Sequence, residues 1–309
     1  MRTKLLVTLA AVMSWAVLLV VSRVVLLRFS IDPWTFTFVQ LCAGGTVLLL
    51  LGGLRGLDFA SFANPITWLL GLLRVLSAAC YTAVLAWLSV LEAGILGAIN
   101  IPLAMFAVWL VFGQRPSRGE WLGHVAICAP MPFLVVGLEG GLGHPAVLLM
   151  LLNEVCLIAA TLLAERHPEN VSDRPGARLR FSGAVLLVTA AILLVLWLAL
   201  DKGREGTWSW PLLVAGCLVG VMFRAPSMVL SFWSMRLIGT RNYLAAIAIL
   251  PVVGLALEQG AIALGLIGVS RFQLETLMLA IAVLLGTLLV AAMRIGNVRS
   301  RADRWRKKP

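Results

Sequence analysis

Apolar stretches long enough to cross a lipid bilayer recur along the whole chain. Each holds about 18 to 26 residues, and about 20 are enough for a helix that spans the hydrocarbon core. Hydrophobic residues make up 61% of the 309 residues and charged residues 13%, which lies outside the composition of soluble domains. A closed membrane barrel would instead show short alternating strands. The sequence therefore predicts an all-α polytopic membrane protein.

We expect ten transmembrane helices. The first stretch is too long for the apolar core of a signal peptide and lacks a small-residue cleavage site, so it counts as a span. The predicted spans are residues 5–28, 34–53, 65–90, 94–112, 119–138, 144–164, 181–200, 210–235, 243–264 and 273–293. As segments, 1–164 hold the first five spans and the sixth, 165–180 form a cytoplasmic connection, 181–293 hold spans seven to ten, and 294–309 form a basic cytoplasmic tail.

The basic residues are distributed unevenly between the two sides of this arrangement. Most of the 25 lysines and arginines fall in connections on one side, and the net charge is +11. Connections rich in lysine and arginine stay in the cytoplasm, which places both termini there. The tail RIGNVRSRADRWRKKP is expected to be attracted to the anionic inner leaflet, and we expect no nucleic-acid partner.

Two halves of five spans each have opposite orientations in the membrane, because five is an odd number. That is the mark of a 5+5 inverted-topology repeat. Two such halves enclose a cavity near the midplane, and rocking one half against the other exposes the cavity to alternate sides. The arrangement predicts alternating access, the mechanism of a secondary transporter.

One polar stripe occurs in each half. Arg74, Ser77 and Tyr81 have the spacing i, i+3, i+7, and the same spacing returns about half a chain later at Arg224, Ser227 and Ser231. On a helix this spacing places the three side chains of a set on one face. Each half therefore presents an arginine-bearing face to something other than lipid.

Several polar or aromatic residues are expected at one depth, about 13 to 18 Å from the cytoplasmic helix ends. They are Trp15, Arg74, Asn100, Glu154 and Arg224. Charges inside a membrane cost about 3 kcal/mol each on insertion scales, so those present usually face a cavity or a partner. By the same measure Glu258 lies at about 22 Å and Arg23 at about 27 Å, where we expect Arg23 to extend to the outer interface.

Two interpretations of these charges stay open. In the first they form a substrate site, with guanidinium groups for a carboxylate or phosphate, a carboxylate for an amine or proton, and an indole for a cationic or apolar group. In the second, Arg74 or Arg224 pairs with Glu154 or Glu258 and fixes the helix packing. Similarly, Pro102 and Pro251 stand at corresponding places in the two halves and are either hinges or static kinks.

Other chemistries have no support in the sequence. The five cysteines lie in apolar runs without paired spacing, and the three histidines are scattered, so we expect no disulfide, metal or cofactor. There is no nucleophile with an adjacent base, and there is no ATP-binding loop of the GxxxxGK[ST] kind. We therefore expect a protein that is not an enzyme.

Several motifs resemble those of the drug/metabolite transporter (DMT) superfamily, most nearly its bacterial EamA-type branch. They are Trp15, Pro33, Arg74 with Tyr81, Asn100-Ile-Pro102, Ile249-Leu-Pro251, and GQRPSRGEWLG from Gly113 to Gly123, which is similar to the family's G-E-R-x-x-x-x-x-W-x-G. The chain departs from the family at Gln40, often arginine there, and at Gln114, where glutamate is expected. It also lacks the Gly-Glu pair near Gly265 to Gly268.

The resemblance implies a ten-helix inverted repeat with a central cavity lined by the first, third, fourth, sixth, eighth and ninth spans. We predict a secondary-active transporter of the bacterial cytoplasmic (inner) membrane that exports small amphoteric metabolites such as amino acids. The predicted substrate-binding residues are Arg74, Arg224, Glu154, Trp15, Asn100 and Tyr81, and the predicted coupling or gating residues are Glu258, Pro102 and Pro251.

The sequence leaves open the choice between functions, the partners and the oligomeric state. Uptake or exchange of an organic ion, or flipping of a lipid or lipid head group, are the alternative functions. The expected partners are a small-molecule substrate, membrane lipid and a coupling proton. The oligomeric state is a monomer or a dimer.

Overall fold

The protein is helical throughout the residues described by a computed structural model, which are 2–53, 60–84, 87–88, 90–113, 115–138, 140–199, 208–268, 277–290 and 293. The helices are α1 (Arg2–Phe29), α2 (Pro33–Leu51), α3 (Ala60–Ala63), α4 (Pro65–Val84), α5 (Val90–Gly97), α6 (Asn100–Phe112), α7 (Arg118–Cys128), α8 (Met131–Val136), α9 (Pro145–Arg166), α10 (Pro168–Val171), α11 (Ala177–Ala199), α12 (Trp210–Val219), α13 (Ala225–Ile238), α14 (Thr240–Ile247), α15 (Leu250–Ala263) and α16 (Leu277–Val290). A π-helical turn, Gly220–Arg224, joins α12 to α13.

Nine helical stretches in the described residues are long and apolar enough to cross a membrane. The shorter apolar helix α16 lies within the predicted tenth span, whose first residues are outside the described part of the chain. A polytopic helical membrane protein is therefore confirmed. The ten-helix 5+5 repeat stays a prediction, and the basic tail at 294–309 lies outside the described residues.

Several helices begin before their predicted starts, and α11 and α14 show why. α11 begins at Ala177 rather than at 181, and within it Arg180 donates a hydrogen bond to the Gly52 carbonyl at 2.6 Å. α14 begins at Thr240 rather than at 243, directly after Gly239, whose φ of 79° makes the turn. Hydropathy alone ends a span at charged or polar residues, although those residues continue the helix when their polar groups find partners.

Close backbone contacts hold the centre of the bundle together. A Cβ atom on Gly183 of α11 would lie 2.8 Å from the carbonyl oxygen of Gly45 on α2, so the two helices touch backbone to backbone. On the same helix as Gly183, Phe181 packs against Phe232 of α13 with ring centroids 4.7 Å apart. The outer surface is apolar, as a lipid-facing surface must be; Leu110, for example, is 83% exposed.

The connection between α9 and α11 is anchored by His167. Its ring is buried and stacks on Phe181 with centroids 4.2 Å apart. The Nδ1 atom accepts the backbone N–H of Glu169 at 3.3 Å and so caps α10. The Nε2 atom lies 3.3 Å from Thr67 Oγ1 and 3.2 Å from Asn64 Nδ2, which ties the connection to the start of α4. Part of the predicted loop 165–180 is therefore ordered by one side chain.

Two spans are broken at corresponding places. Ala98 and Ile99 separate α5 from α6, and two residues, 248 and 249, separate α14 from α15. Pro102 has no N–H to donate to the Ala98 carbonyl, and Ile101 N–H donates there instead at 3.2 Å. Pro251 lies in the first turn of α15. The prolines thus stand beside real interruptions, while their use as hinges stays a prediction.

Candidate functional site

Two arginines from different halves of the chain converge on one indole ring. Trp15 lies in the middle of α1, with Arg74 of α4 at 5.9 Å and Arg224 at 5.6 Å, each measured from the guanidinium Cζ to the ring centroid. Both distances fall within the range of cation–π attraction, about 6 Å. The structure thus brings together three of the residues that the depth estimate placed in one layer.

The direction of Arg224 depends on the π-helical turn that it ends. The N–H of Ala225 donates to the Gly220 carbonyl five residues back, instead of four. Pro226 follows directly; it has no N–H, and its ring would crowd the carbonyl four residues before it, so a wider turn relieves both problems. Gly220 also packs on α2, where a Cβ would lie 2.6 Å from the Gln40 carbonyl oxygen.

Hydroxyl groups hold the indole from its other end. The Trp15 Nε1–H donates to Ser231 Oγ at 2.6 Å, and the Ser231 hydroxyl donates to the Ser227 carbonyl at 2.6 Å. Tyr243 of α14, 2% exposed, hydrogen-bonds to Ser231. The indole is therefore fixed in orientation, and its faces stay available to cations.

Neither arginine of this group meets a carboxylate in the described part of the chain. The Arg224 Nε atom is buried and has no hydrogen-bond partner among the described residues. The ion pairs that the structure does describe involve Arg23, Arg236 and Arg241 instead. Two guanidinium charges thus lie beside one ring without a counter-charge among the described residues, which is the arrangement an anionic ligand would stabilise.

A second polar cluster surrounds Glu154 on α9. Glu154 is 3% exposed, and its Oε1 accepts a hydrogen bond from Asn153 Nδ2 at 2.8 Å. Asn100 of α6 also hydrogen-bonds to this carboxylate. Ser77 of α4 donates to Asn153 Oδ1 at 2.6 Å, and Tyr81 lies one turn further along α4, near Glu154. The predicted residues Glu154, Asn100 and Tyr81 are therefore neighbours.

Acceptor atoms in this second cluster are left without donors. Glu154 Oε2 and Asn100 Oδ1 are both buried and have no hydrogen-bond partner within the described residues. Ser77 and Arg74 lie three residues apart on α4, so one helix connects the two clusters. The site therefore combines unpaired positive charge at one place with an unpaired carboxylate oxygen at another.

Glu258 belongs to neither cluster. Its Oε1 accepts a hydrogen bond from Arg23 Nη1 at 2.8 Å, which joins α1 to α15 at the end where both helices finish. The expectation that Arg23 simply extends to the interface is thus corrected, because a carboxylate lies within its reach. The packing pairs considered from sequence, Arg74 or Arg224 with Glu154 or Glu258, are not formed among the described residues.

At the opposite end, where α1 begins, three contacts join helices of the bundle. Thr8 of α1 hydrogen-bonds to Ser234 of α13 at 2.8 Å. Arg241 of α14 pairs with Glu120 of α7 at 2.6 Å, and the Thr240 N–H donates to Glu165 Oε2 at 2.7 Å. These contacts tie α1, α7 and α9 to α13 and α14 at this end of the bundle.

Two site residues were not identified from sequence. Asn153 precedes Glu154 and bridges it to α4, and a carboxamide beside an intramembrane carboxylate is the signal that could have pointed to it. Tyr243 is one of only two tyrosines in the chain, the other being Tyr81. Each tyrosine lies beside one of the two clusters, and this scarcity could have singled out Tyr243.

Part of the chain matches a known protein family. Residues 2–134 match the model of the EamA-like transporter family, which lies in the DMT superfamily, so the resemblance seen in the motifs is confirmed. No curated protein matches the chain. Among the matching solved structures, one described as "Crystal structure of protein" is 18% identical, with a TM-score of 0.64 over 94% of this chain and 98% of that chain. At that identity the likeness extends to the fold.

Proposed function

We propose that this chain, whose residues 2–134 match the model of the EamA-like transporter family, is a secondary-active transporter that exports a small amphoteric metabolite such as an amino acid. It works by alternating access in the bacterial cytoplasmic membrane, with both termini in the cytoplasm. Arg74 and Arg224 hold the acidic end of the substrate, and Trp15 packs against it. Glu154 holds the amine or carries a coupling proton.

The observation that carries this proposal is the pair of unmatched charges in the membrane interior. Arg74 and Arg224 lie beside Trp15 without a carboxylate among the described residues, and one oxygen of Glu154 has no donor there. Charges left uncompensated inside a membrane are costly. A zwitterion that contacts the positive and the negative groups together would therefore stabilise the structure. Binding residues for both ends of an amphoteric molecule are then present on α1, α4, α9 and the π-helical turn.

Alternating access is supported by the ion pairs near the two ends of the bundle. Arg241 and Glu120 join α14 to α7 at the end where α1 begins, which is the predicted cytoplasmic end. Arg23 and Glu258 join α1 to α15 at the other end. A carrier that opens to one side at a time must break one such set while the other forms. Glu258 therefore acts in gating rather than in substrate binding.

The test is ligand-dependent thermal stabilisation of the purified full chain, followed by transport in liposomes. A ligand that binds the folded state raises its melting temperature by mass action. We expect amino acids to stabilise the wild type, and we expect Arg74→Gln and Arg224→Gln to lose that shift. Arg236→Gln is the matched control, because Arg236 pairs with Asp173 outside the site and should keep the wild-type response.

Retention of the amino-acid shift in both Arg74→Gln and Arg224→Gln would contradict the assignment of the site. Stabilisation by organic cations alone would indicate that Glu154 and Trp15 bind the substrate and that the protein is an organic-ion carrier. Stabilisation by phospholipid head-group compounds alone would favour a flippase. In liposomes, amino-acid movement that needs no ion gradient would contradict coupling by Glu154.

A further inference from the structure

The surroundings of Glu154 contain two side-chain oxygen atoms that receive no hydrogen bond in the described part of the chain, and a backbone carbonyl that loses its usual helical donor. The side-chain atoms are Glu154 Oε2 and Asn100 Oδ1. The carbonyl is that of Gly97, the last of α5. In an unbroken helix Ile101 N–H would donate to Gly97, whereas here it donates to Ala98 at 3.2 Å.

The break in the fourth span packs against Glu154. A Cβ atom built on Gly97 would stand 3.0 Å from Glu154 Oε1, and Asn100 hydrogen-bonds to the same carboxylate. Glu154 and Asn100 are 3% and 5% exposed, so water does not satisfy them freely. A carboxylate, a carboxamide oxygen and an end-of-helix carbonyl together are the ligand set of a hard cation.

We propose that Glu154, Asn100 and the Gly97 carbonyl bind a sodium ion at the break between α5 and α6. Unwound backbone and the carboxyl ends of half-helices are where membrane carriers hold sodium, because carbonyls freed from the helix replace the hydration shell. The negative charge of Glu154 balances the ion. The role of this ion in coupling rests on the proposed transport function, but its binding does not.

The size of the site distinguishes sodium from a proton and from a substrate ammonium group, the two other cations proposed to bind Glu154. A proton on Glu154 satisfies one acceptor oxygen besides its own, and leaves one of the three oxygens unpaired. A substrate ammonium group can reach three acceptors, but it brings a carbon chain with it. Gly97 limits the space for such a chain on its own side of the carboxylate, since an added methyl group would be 3.0 Å from Oε1. A bare ion needs no such space.

The break in the ninth span stands at the corresponding place and serves as a comparison for the site in the fourth span. There α15 begins at Leu250, and Ile249 stands two residues before Pro251 as Asn100 stands before Pro102, so the second break has a helix end but lacks the carboxamide. The nearest described carboxylate on α15 is Glu258, and it is paired with Arg23. Sodium binding is therefore assigned to the first break alone.

The experiment measures the melting temperature of the detergent-purified full chain in sodium, potassium or choline chloride at equal concentration, without substrate. We expect sodium alone to give a saturable rise, about 5 °C at a concentration about 100 times the dissociation constant. Glu154→Gln keeps the shape of the side chain, removes its charge, and should abolish the rise. Asn100→Ala should lower the affinity for sodium at least tenfold, and Leu250→Ala should leave the rise in melting temperature unchanged.

Equal shifts in sodium and potassium, or a sodium shift that survives in Glu154→Gln, would overturn the proposal. So would a stability that ignores sodium but depends on pH through Glu154, because the site would then hold a proton. Direct binding of radioactive sodium to wild type and to Asn100→Ala covers the case in which Glu154→Gln fails to fold. Since no substrate is present, failure here is distinct from failure of the amino-acid experiment.

Discussion

Arg23 and Glu258 form an ion pair, 2.8 Å long, between α1 and α15, within two turns of the end of each helix. The Arg23 side chain is 38% exposed and that of Glu258 12%, so water screens the pair only in part. Helices α1 and α15 belong to opposite ends of the sequence, and this pair is the described charged link between them. Its removal should therefore loosen the end of the bundle opposite to the Arg241–Glu120 contact.

Arg23→Gln and Glu258→Gln should lower stability by similar amounts, and the double variant should lower it by little more than either single variant. A partly exposed pair is expected to show a coupling free energy of about 0.2 to 1 kcal/mol. Thermal unfolding of the four proteins measures it. Arg28→Gln, on the same helix, is the control for loss of an arginine, and strictly additive effects would show that the pair contributes nothing.

Glu120 has two tasks that different substitutions separate. Its Oε2 accepts the Ser117 N–H at 2.8 Å in a capping box that starts α7, and its Oε1 pairs with Arg241. Ser117→Ala should cost about 1 kcal/mol through the cap and leave the ion pair intact. Glu120→Gln and Arg241→Gln should increase hydrogen exchange along Thr240–Ile247, which Ser117→Ala should not. Equal exchange in all three variants would contradict this separation.

Glycine substitutions in the bundle should divide sharply by position. A Cβ on Gly44 of α2 would lie 2.8 Å from the Gly220 carbonyl oxygen, a backbone atom that cannot turn away. Gly44→Ala should therefore destabilise the protein by about 1 to 3 kcal/mol. Gly254 of α15 has nothing within 4 Å of its added Cβ, so Gly254→Ala should be neutral or stabilising. Melting temperatures of the two variants compare them directly.

His167 should make the protein sensitive to mild acid. Burial lowers the pKa of His167 from 6.5 to about 4, because the charged ring would lose its hydration and the N–H of Glu169 already points at Nδ1. Below pH 6.5 His167 binds a proton in the unfolded chain but not in the folded chain. Stability should thus fall as the pH drops from about 6.5 to about 4, and below that this group adds no further change.

The substitution His167→Gln removes this titration and keeps an acceptor for the α10 cap. Its melting temperature should vary less with pH between about 6.5 and 4 than that of the wild type. Glu169 and Asp173 in the same connection are present in both proteins, so the difference between the two profiles belongs to His167. A parallel pH profile for wild type and variant would show that His167 does not carry the acid response.

The number and positions of most helices follow from hydropathy, because each long apolar run must bury its backbone hydrogen bonds in a helix. Helix ends follow less well. Arg180 was assigned to a loop by its charge, yet it lies in α11 because the Gly52 carbonyl accepts its guanidinium. A partner that is far away in sequence leaves no local signal.

The clusters of the site were predicted in part. Depth along each helix follows from counting residues, and it grouped Trp15, Arg74 and Arg224, which the structure places in contact. Depth also placed Glu258 nearer to Arg23 than to the other arginines, and that pair is the one that forms. Rotation of each helix about its axis cannot be counted in this way, because packing sets it. For that reason the partners of Glu154 were not identified, and substrate binding by any of these residues stays a prediction.

The π-helical turn at Gly220–Arg224 has a consequence for how this sequence tolerates insertions and deletions. One residue more than the turn accommodates rotates everything after it by about 100° around the axis and moves it by about 1.5 Å. The face of Arg224 is thus encoded by a residue count and not by residue type. Loss of a single neutral amino acid between Gly220 and Arg224 should therefore close the turn to an α-helical one and leave the guanidinium on the side of Trp15, whereas gain of one should turn it away.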